Sequence, residues 1–241
     1  MQHLQVLDEK ARIFLIPEFV SEAEADHLAQ LAEPNLQRSG VVKTAEGGAA
    51  AAALHSIRTS SGAFLERGQD AVVRDIEQRI ALWSMMPVDN GESMHVMRYN
   101  DGEKYDAHFD WFFDNSSIAN GGNRHATVLL YLSDVEEGGE TVFPMIPSEA
   151  DASAEVSECA QGKLAVKPRK GSALLFHSQD ATGALERRSL HASCPVLRGT
   201  KWAASKWIRT GRYMTKSELL GMVQQLQRMQ AVLSTAGRIK Q

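Results

Sequence analysis

From residue 92 onward the sequence consists of short β-rich segments separated by turn residues, and this pattern constrains the fold more than any other feature. Asn100-Asp101-Gly102 and Glu137-Gly138-Gly139 supply turns in which glycine accepts a positive φ angle. The predicted strands cover residues 93–99, 105–113, 126–133, 141–143, 163–167, 173–176, 190–194 and 201–209. Eight short strands are the number that a double-sheet jelly roll requires. The sequence therefore predicts a jelly-roll core over about residues 92–210.

Helical patterns precede this β region. Ser21-Glu22-Ala23-Glu24 is a capping-box pattern, and apolar residues follow it at helical spacing from Ala25 to Leu31. A second helix is predicted over about residues 67–84, between Arg67-Gly68 and Met86-Pro87. The small-residue stretch 44–53 between the two helices is interpreted as a mobile loop, with a helical turn as the alternative. We therefore expect helical support over about residues 20–86.

A terminal helix is predicted after Gly211. Thr215-Lys216-Ser217-Glu218 again resembles a capping box, and one helical face then carries Leu219, Val223, Leu226 and Leu233. That face needs an apolar partner, and docking onto the two N-terminal helices is the simplest solution. The expected fold is thus mainly β with flanking helices (α+β), with a single domain over residues 1–212 and a C-terminal helical extension over residues 213–241.

The charge distribution argues against a generic polyanion binder. Lys and Arg number 26 and Asp and Glu number 30, which gives a formal net charge of −4. The charge is uneven, because residues 198–241 hold nine basic residues and one acidic residue. We expect no nucleic-acid partner, and we expect the acidic remainder of the chain to complement this basic segment.

Hydropathy and cysteine content limit the cellular setting. The longest apolar runs, such as residues 128–132, fall far short of the roughly 18–20 residues that span a bilayer. No membrane span is therefore expected in this chain. Residues 1–5 lack a basic or apolar leader pattern, so any secretory signal has been removed or never existed. Cys159 and Cys194 are compatible with two buried thiols or with one bridge.

A metal site is suggested by Tyr105-Asp106-Ala107-His108-Phe109-Asp110. His108 and Asp110 are two residues apart on a probable strand, so both side chains point to the same face. His191 could supply a third ligand from a strand near the other end of the β region. An isolated H-x-D pair is more often hydrogen-bonded or solvated than metal-bound. Two histidines and one carboxylate are nevertheless the ligand set of non-haem Fe(II) oxygenases, which leave three coordination positions open.

Lys201 raises the weight of this interpretation. It lies ten residues beyond His191, where it enters a predicted strand that would pair near the metal. A buried cation beside a ferrous site needs an anion. A dicarboxylate cosubstrate can chelate the metal at one end and pair with lysine at the other.

Several motifs in the same order resemble those of the prolyl 4-hydroxylases of the plant and algal type. The resemblance runs over about residues 11–210. It rests on Ile57-Arg58-Thr59-Ser60, Tyr99-Asn100-Asp101-Gly102-Glu103-Lys104-Tyr105, the H-x-D motif, Gly138-Gly139-Glu140-Thr141, Lys170-Gly171-Ser172-Ala173, Ser189-Leu190-His191, Lys201-Trp202 and Lys206-Trp207-Ile208. It implies a double-stranded β-helix fold and trans-4-hydroxylation of peptidyl proline, with 2-oxoglutarate decarboxylated to succinate and CO₂.

The resemblance also implies a role for individual residues. The iron ligands would be His108, Asp110 and His191, and Lys201 would bind the C5 carboxylate of 2-oxoglutarate with help from the hydroxyls of Tyr99 and Thr141. Arg58, Tyr105, Arg124 and Trp207 would line the peptide groove. The cofactors implied are Fe(II), 2-oxoglutarate, O₂ and ascorbate.

Partner and compartment follow from the same resemblance. The implied substrate is a proline-rich peptide in polyproline II form. Separately, we expect the chain to be a monomer. The family carries cysteines at both positions, which favours a Cys159–Cys194 bridge and a secretory compartment, the endoplasmic reticulum or Golgi lumen. A cytoplasmic location is the alternative.

Other functions remain open at this point. Another 2-oxoglutarate oxygenase, such as a lysyl hydroxylase or a hypoxia-sensor-like prolyl hydroxylase, would keep the same metal and lysine. A non-catalytic jelly-roll binding module would show no coupled decarboxylation. A nucleic-acid demethylating oxygenase is suggested only by the basic C-terminus and would bind DNA or RNA in a salt-dependent way.

Overall fold

The chain folds mainly into antiparallel sheets. The computed structural model describes residues 4–38, 58–148 and 156–238, with side chains described up to residue 230. The strands are β1 Gln5–Asp8, β2 Ile13–Ile16, β3 Gln37–Arg38, β4 Ser61–Leu65, β5 Met94–Tyr99, β6 Tyr105–His108, β7 Arg124–Tyr131, β8 Glu137–Gly138, β9 Thr141–Pro147, β10 Lys163–Val166, β11 Ala173–His177, β12 His191–Ser193, β13 Val196–Arg198 and β14 Lys201–Arg209. The helices are α1 Glu22–Ala32, α2 Ala71–Ser84, α3 Asn115–Ile118 and α4 Lys216–Arg238.

Two sheets face each other across the core. The main sheet has the order β1-β2-β11-β7-β14-β5-β4-β3, and the minor sheet has the order β10-β9-β12-β6. Strand β7 shows how the layers are arranged, because its side chains alternate between two apolar clusters. Val128 and Leu130 face α1 and α2 on the outside, whereas Leu129 and Tyr131 face the interior between the sheets. This double burial explains the near-continuous apolar sequence of β7. The predicted jelly-roll fold is confirmed.

The supporting helices begin at side-chain caps. Ser21 caps α1, with its hydroxyl accepting from the backbone of Glu24 and the Glu24 carboxylate returning to the backbone of Ser21, as the capping box predicts. Asp70 caps α2, so this helix begins at Ala71 rather than near residue 67. It ends at Ser84, and the C-cap residue Met85 adopts the left-handed conformation two residues before Pro87.

The main sheet extends further toward the N-terminus than the sequence patterns predicted. Strands β1 and β2 form an added hairpin at one edge, and β3 and β4 extend the other edge. The segment predicted as helical support over residues 20–86 therefore also contains sheet. These strands are short, and their pairing to β11 and β5 is non-local, which leaves little periodic signal in their own sequence.

One predicted strand is shorter than expected. The strand predicted over residues 105–113 ends at His108, so Asp110 lies beyond it. The chain leaves the minor sheet here, because the Asp110 carboxylate accepts a 2.6 Å hydrogen bond from Thr127 of the main sheet. His108 and Asp110 thus converge through a turn, and the prediction of a single strand face carrying both was wrong.

Helix α4 is attached only through its first turn among the described side chains. Glu218 pairs with Arg67 at 2.6 Å, and Thr215 caps the helix by accepting from the backbone of Glu218. Farther along, Val223 and Leu226 are 49% and 52% exposed. Up to residue 230 the helix therefore does not dock on α1 and α2, contrary to the expectation from its apolar face.

Within the described residues, no helix combines the length and the apolar character that crossing a membrane requires. The stretch 44–53, interpreted as a mobile loop, lies outside the described residues.

Candidate active site

The metal-ligand candidates meet at the mouth of the sandwich. His108 at the end of β6 is the register partner of His191 on β12, so the minor sheet fixes both rings side by side. Asp110 reaches the same point from the following turn. Its Oδ1 lies 3.9 Å from His108 Nε2, and its Oδ2 lies 3.8 Å from His191 Nε2. Within the described ranges, this is the one group of three such residues whose donor atoms converge, all within 4.8 Å of one another.

Hydrogen bonds orient each of the three metal-ligand candidates. His108 Nδ1 donates to the carbonyl of Asp106 and His191 Nδ1 donates to the carbonyl of Ser189, both at 2.9 Å. With Nδ1 as the donor, the Nε2 lone pair of each ring is left for a ligand. No sequence pattern indicated Thr127, whose hydroxyl fixes the Asp110 carboxylate.

The ionisation of these groups matches the needs of a divalent metal. Burial, reinforced by His191, lowers the pKa of His108 to about 3, so its ring is neutral. Burial acts to raise the pKa of Asp110, but His191 and Arg124 outweigh it and lower the value to about 2. A neutral imidazole and an ionised carboxylate are the forms that coordinate metal. The donor set of two nitrogens and one oxygen fits Fe(II) with coordination positions left open.

An inner cavity extends from this triad to Lys201. Its lining includes all three ligand candidates together with Arg58, Tyr99, Tyr105, Thr141, Ser193, Lys201 and Trp207. Lys201 is 1% exposed, and its Nζ donates to the carbonyl of Gly139 at 2.6 Å and to Ser193 Oγ at 2.8 Å. Burial lowers the pKa of Lys201 to about 7, against the opposing effect of Glu140. The cavity thus ends in a buried amine.

Hydroxyl groups surround the Lys201 end of the cavity. Tyr99 is buried with its ring centroid 5.5 Å from Lys201 Nζ. Thr141 Oγ1 accepts a 2.9 Å hydrogen bond from Tyr131 Oη. Tyr131 and Ser193 were not identified from the sequence. The alternation along β7 could have indicated Tyr131, because it shares the inward face with Thr127.

Outside the triad lies an open outer groove of about 690 Å³. Tyr105 stacks on His108 with ring centroids 3.7 Å apart, and the Arg58 guanidinium lies 4.8 Å from the Tyr105 centroid. The Arg124 guanidinium lies 3.7 Å from the centroid of Trp207. The structure therefore brings every residue that the sequence assigned to the metal, the cosubstrate or the peptide to the inner cavity or to the outer groove that adjoins it.

Glu92 positions Arg124 and was also missed. Its two carboxylate oxygens accept from Arg124 Nε and Nη2 at 2.8 and 3.0 Å, and Oε1 also accepts from Arg209 Nε at 2.6 Å. This bidentate geometry fixes the plane of the Arg124 guanidinium, which also approaches Asp110 Oδ1 at 3.5 Å. The three partners come from distant segments, so no local sequence pattern indicates the cluster.

A disulfide joins Cys159 to Cys194 behind the site, across a sequence separation of 35 residues. Cys194 follows β12 directly, and the same strand carries His191 and Ser193. The bridge therefore ties the strand that carries a ligand candidate to the turn around Cys159.

Comparisons with known proteins agree with this site. The sequence model of the 2OG-Fe(II) oxygenase superfamily matches residues 94–209. "Probable prolyl 4-hydroxylase 3" of Arabidopsis thaliana is 45% identical over 215 residues, which cover 88% of this chain and 74% of that protein. "Prolyl 4-hydroxylase 2" of the same plant is 44% identical over 212 residues, covering 86% of this chain and 70% of that protein.

Two solved structures share the fold of this chain. The viral collagen prolyl hydroxylase of Paramecium bursaria Chlorella virus-1, in its 2OG complex, superposes with a TM-score of 0.60 and 27% identity. The alignment covers 85% of this chain and 99% of that one. A prolyl hydroxylase from Trichoplax adhaerens, in complex with a hypoxia inducible factor peptide fragment, has a TM-score of 0.53 at 17% identity and shares the fold, over 85% of this chain and 86% of its own.

Proposed function

The chain belongs to the prolyl 4-hydroxylases of the 2OG-Fe(II) oxygenase superfamily, and we propose that it hydroxylates peptidyl proline at C4 in proline-rich polypeptides. The observation that carries this proposal is one continuous arrangement of groups. A two-histidine, one-aspartate cluster stands between a buried lysine and an open aromatic groove. Cosubstrate and peptide can therefore approach the same metal from opposite sides.

His108, Asp110 and His191 would hold Fe(II) through the donors described above. When bound, the iron with O₂ and 2-oxoglutarate supplies the oxidant that breaks the C4–H bond, which side chains alone do not provide. The chain's own contribution is to present neutral imidazole nitrogens and a fixed carboxylate. Thr127 and Arg124 keep that carboxylate ionised and oriented.

Lys201 would bind the C5 carboxylate of 2-oxoglutarate in the inner cavity. Its ammonium group would donate to that carboxylate in a buried site from which bulk water is largely excluded. A charge-assisted pair is strong in such a site. The hydroxyls of Tyr99 and Thr141 would complete the carboxylate's hydrogen bonds. Ser193 and the Gly139 carbonyl hold the lysine in place until the anion arrives.

The outer groove would hold the peptide. Polyproline II is already extended, so little conformational entropy is lost when aromatic side chains bind its ridges. Tyr105 and Trp207 offer the ring faces, and Arg58 and Arg124 offer donors beside them. Because Glu92 fixes Arg124, the donor is already oriented before the peptide binds.

The test is product analysis on a panel of proline-rich and lysine-containing peptides. The protein is incubated with Fe(II), 2-oxoglutarate, ascorbate and O₂, and mass spectrometry and NMR locate the added oxygen while succinate is quantified. We expect trans-4-hydroxyproline and succinate in equal amounts. The Lys201→Ala variant should lose most activity, whereas Asp75→Ala, an exposed acid on α2, should retain it. Hydroxylysine as the product, or succinate without hydroxyproline on every peptide, would contradict the proposal.

We also propose a reductant, an oligomeric state and a cellular compartment. Ascorbate would keep the iron reduced, the enzyme would act as a monomer, and it would reside in the secretory lumen. The disulfide supports the last of these, because such bonds persist in oxidising compartments. Alkylation trapping of the cysteine pair in cells, light scattering of the purified protein and omission of ascorbate test them separately. A reduced pair in cells would favour the cytoplasm.

A further inference from the structure

Three aromatic rings form a stack that leads away from the metal-ligand cluster along the main sheet. Phe64, His95 and Trp207 lie on the adjacent strands β4, β5 and β14. Phe64 and His95 are register partners with ring centroids 4.3 Å apart and planes inclined by 17°. His95 and Trp207 are 5.6 Å apart and inclined by 28°. We call these three residues the aromatic stack.

The inner end of the aromatic stack adjoins the reacting centre. Trp207 lines both the inner cavity and the outer groove. The Arg124 guanidinium lies against its ring at 3.7 Å and approaches Asp110 at 3.5 Å. Phe64, in contrast, lines only the outer groove. The stack thus runs from the metal-ligand cluster to the outer part of the groove.

The middle ring acts as a fixed spacer. His95 is 5% exposed, and its ring lies directly on Gly62, where a Cβ would come within 2.5 Å of His95 Nε2. The Arg58 Nη2 atom lies 3.4 Å from His95 Nδ1 on one side of the ring. Burial, together with the nearby Arg58 and Arg124, lowers the pKa of His95 to about 3, so the ring stays neutral. The distance between the two outer rings is therefore set by packing.

The outer ring is largely exposed. Phe64 is 60% exposed, whereas its strand neighbours Ala63 and Leu65 are buried on the opposite face. One face of the Phe64 ring is covered by His95, and the side chain lines the groove. A large apolar ring held in this position is available for a ligand.

The length of the aromatic stack matches the repeat of the proposed substrate. Polyproline II rises ~3.1 Å per residue with three residues per turn, so side chains recur on one face about every 9 Å. With spacings of 4.3 and 5.6 Å, the Phe64 and Trp207 centroids lie no more than about 10 Å apart, which allows one polyproline II turn between a proline at Trp207, beside the ligand candidates, and a proline at Phe64. Building on the proposed function, we propose that Phe64 binds the proline ring three residues away from the proline that is hydroxylated. The enzyme then selects peptides with prolines one turn apart, rather than a single proline.

The experiment couples a substitution in the protein with substitutions in the peptide. A proline-rich decapeptide with one reactive proline is synthesised in versions that replace each other proline by alanine in turn. Wild type, Phe64→Leu and Phe64→Tyr are compared, with Leu82→Ala as the control, because Leu82 is 80% exposed on α2 and away from the groove. Melting temperatures confirm that each variant is folded.

We expect Phe64→Leu to raise KM for the parent peptide by about 3- to 10-fold at unchanged kcat, in keeping with the loss of one aromatic contact. Alanine at one position three residues from the reactive proline should raise KM for wild type by the same factor and have no further effect in Phe64→Leu. Phe64→Tyr should stay within about twofold of wild type, because it keeps the ring.

The outcomes separate this inference from the function on which it rests. If wild type hydroxylates the peptides but Phe64→Leu matches it at every peptide, the Phe64 subsite is wrong and the function stands. Coupling to a proline directly next to the reactive one would also overturn the subsite. If wild type hydroxylates none of the peptides, the proposed function itself fails.

Discussion

Lys201 is the residue at which burial and charge oppose each other most directly. Its side chain is 1% exposed, and its hydrogen-bond partners are a carbonyl and a hydroxyl. Burial brings the pKa of the amine to about 7, so the protein is close to losing this charge at physiological pH. A bound carboxylate favours the ammonium form. Binding of a dicarboxylate and protonation of Lys201 are therefore linked.

This linkage predicts a pH dependence of 2-oxoglutarate binding. Below about pH 7 Lys201 is already protonated, whereas above it the free protein must take up a proton on binding. We expect the dissociation constant to rise above pH 7, approaching tenfold per pH unit. Anaerobic calorimetry with Mn(II) in two buffers of different ionisation enthalpy measures both affinity and proton uptake. The Lys201→Arg variant should show neither effect, and a flat wild-type profile from pH 6 to 9 would refute the linkage.

The three ligand candidates should all be needed to hold the metal. His108→Ala, Asp110→Ala and His191→Ala should each abolish turnover and weaken Fe(II) binding at least tenfold, because two donors do not hold the metal in its facial geometry. Binding is measured anaerobically by competition with a chelating dye. Asp75→Ala, with its exposed carboxylate, is the matched control. Full activity in any one alanine variant would remove that residue from the ligand set.

At the scale of elements, a buried ion pair connects α2 to β14. Lys206 Nζ lies 2.5 Å from Glu77 Oε1 and also donates to the carbonyl of Glu92. Gly91 provides the space, because a Cβ there would come within 2.5 Å of Lys206 Cε. The strand that carries Lys201 and Trp207 is thus fixed to the outer helix layer by a charged contact within an apolar region.

Removing one partner of this pair should be costly. Lys206→Met leaves Glu77 buried without its cation and should lower the free energy of unfolding by about 3–5 kcal/mol. The double variant Glu77→Leu with Lys206→Met should lose less, because no charge is left unpaired. Urea denaturation gives both values. Lys104→Met, which breaks an exposed pair with Asp106, should change stability by less than about 1 kcal/mol. An equal loss in the single and double variants would show that packing, rather than charge, stabilises the contact.

The elements that the sequence predicted are those with a local pattern. The capping box at Ser21 and the apolar strands β5, β7, β11 and β14 are local patterns, and they were predicted close to their observed bounds. The H-x-D motif is also local, although its geometry depends on a turn and on Thr127. Strands β1 to β4 were missed because they are short and because β2 and β4 join the sheet through partners that are distant in sequence.

The site residues that the sequence did not indicate were missed for the same reason. Glu92 acquires its role only when Arg124 and Arg209 reach it from other strands. Tyr131 and Ser193 matter because they meet Thr141 and Lys201 across the sandwich. A motif identifies residues that contact a ligand, whereas the residues that position them are recognised only after folding.

For the molecule as a whole, the uneven charge of the sequence is matched by pairing in space. Basic residues after position 197 meet acidic residues from earlier segments: Arg198 with Glu136, Lys206 with Glu77, Arg209 with Glu92 and Arg212 with Asp89. Strand β14 lies in the middle of the main sheet. Of its cations, Lys206 pairs with Glu77 on α2 and Arg209 pairs with Glu92 just before β5. The basic segment thus contributes to cohesion of the fold.

The first turn of α4 is held to the rest of the fold by hydrogen bonds and an ion pair. Tyr213 and Glu218 are fixed by Arg67, which donates to the carbonyl of the first and pairs with the carboxylate of the second. Met214 exchanges hydrogen bonds with Asn120. From Gly221 to residue 230 the side chains are exposed. We propose that the folded body continues through the first turn of α4 to about residue 218, beyond the boundary at residue 212 that the sequence predicts.

Two truncations test this boundary. Ending the chain after Gly211 removes the contacts of Arg67 and Asn120 and should cost about 2 kcal/mol, which corresponds to a fall of roughly 4–8 °C in Tm. Ending it after Gly221 removes only exposed turns of α4 among the described side chains, so Tm should stay within about 1 °C of the full chain. Differential scanning calorimetry at two protein concentrations measures both. Hydroxylation should persist in the longer truncation, because α4 lines neither the inner cavity nor the outer groove over the side chains described. If ending after Gly221 lowered Tm, and did so more at high protein concentration than at low, the apolar residues of α4 would be packing against a second copy of the chain, and the monomer proposed above would be wrong.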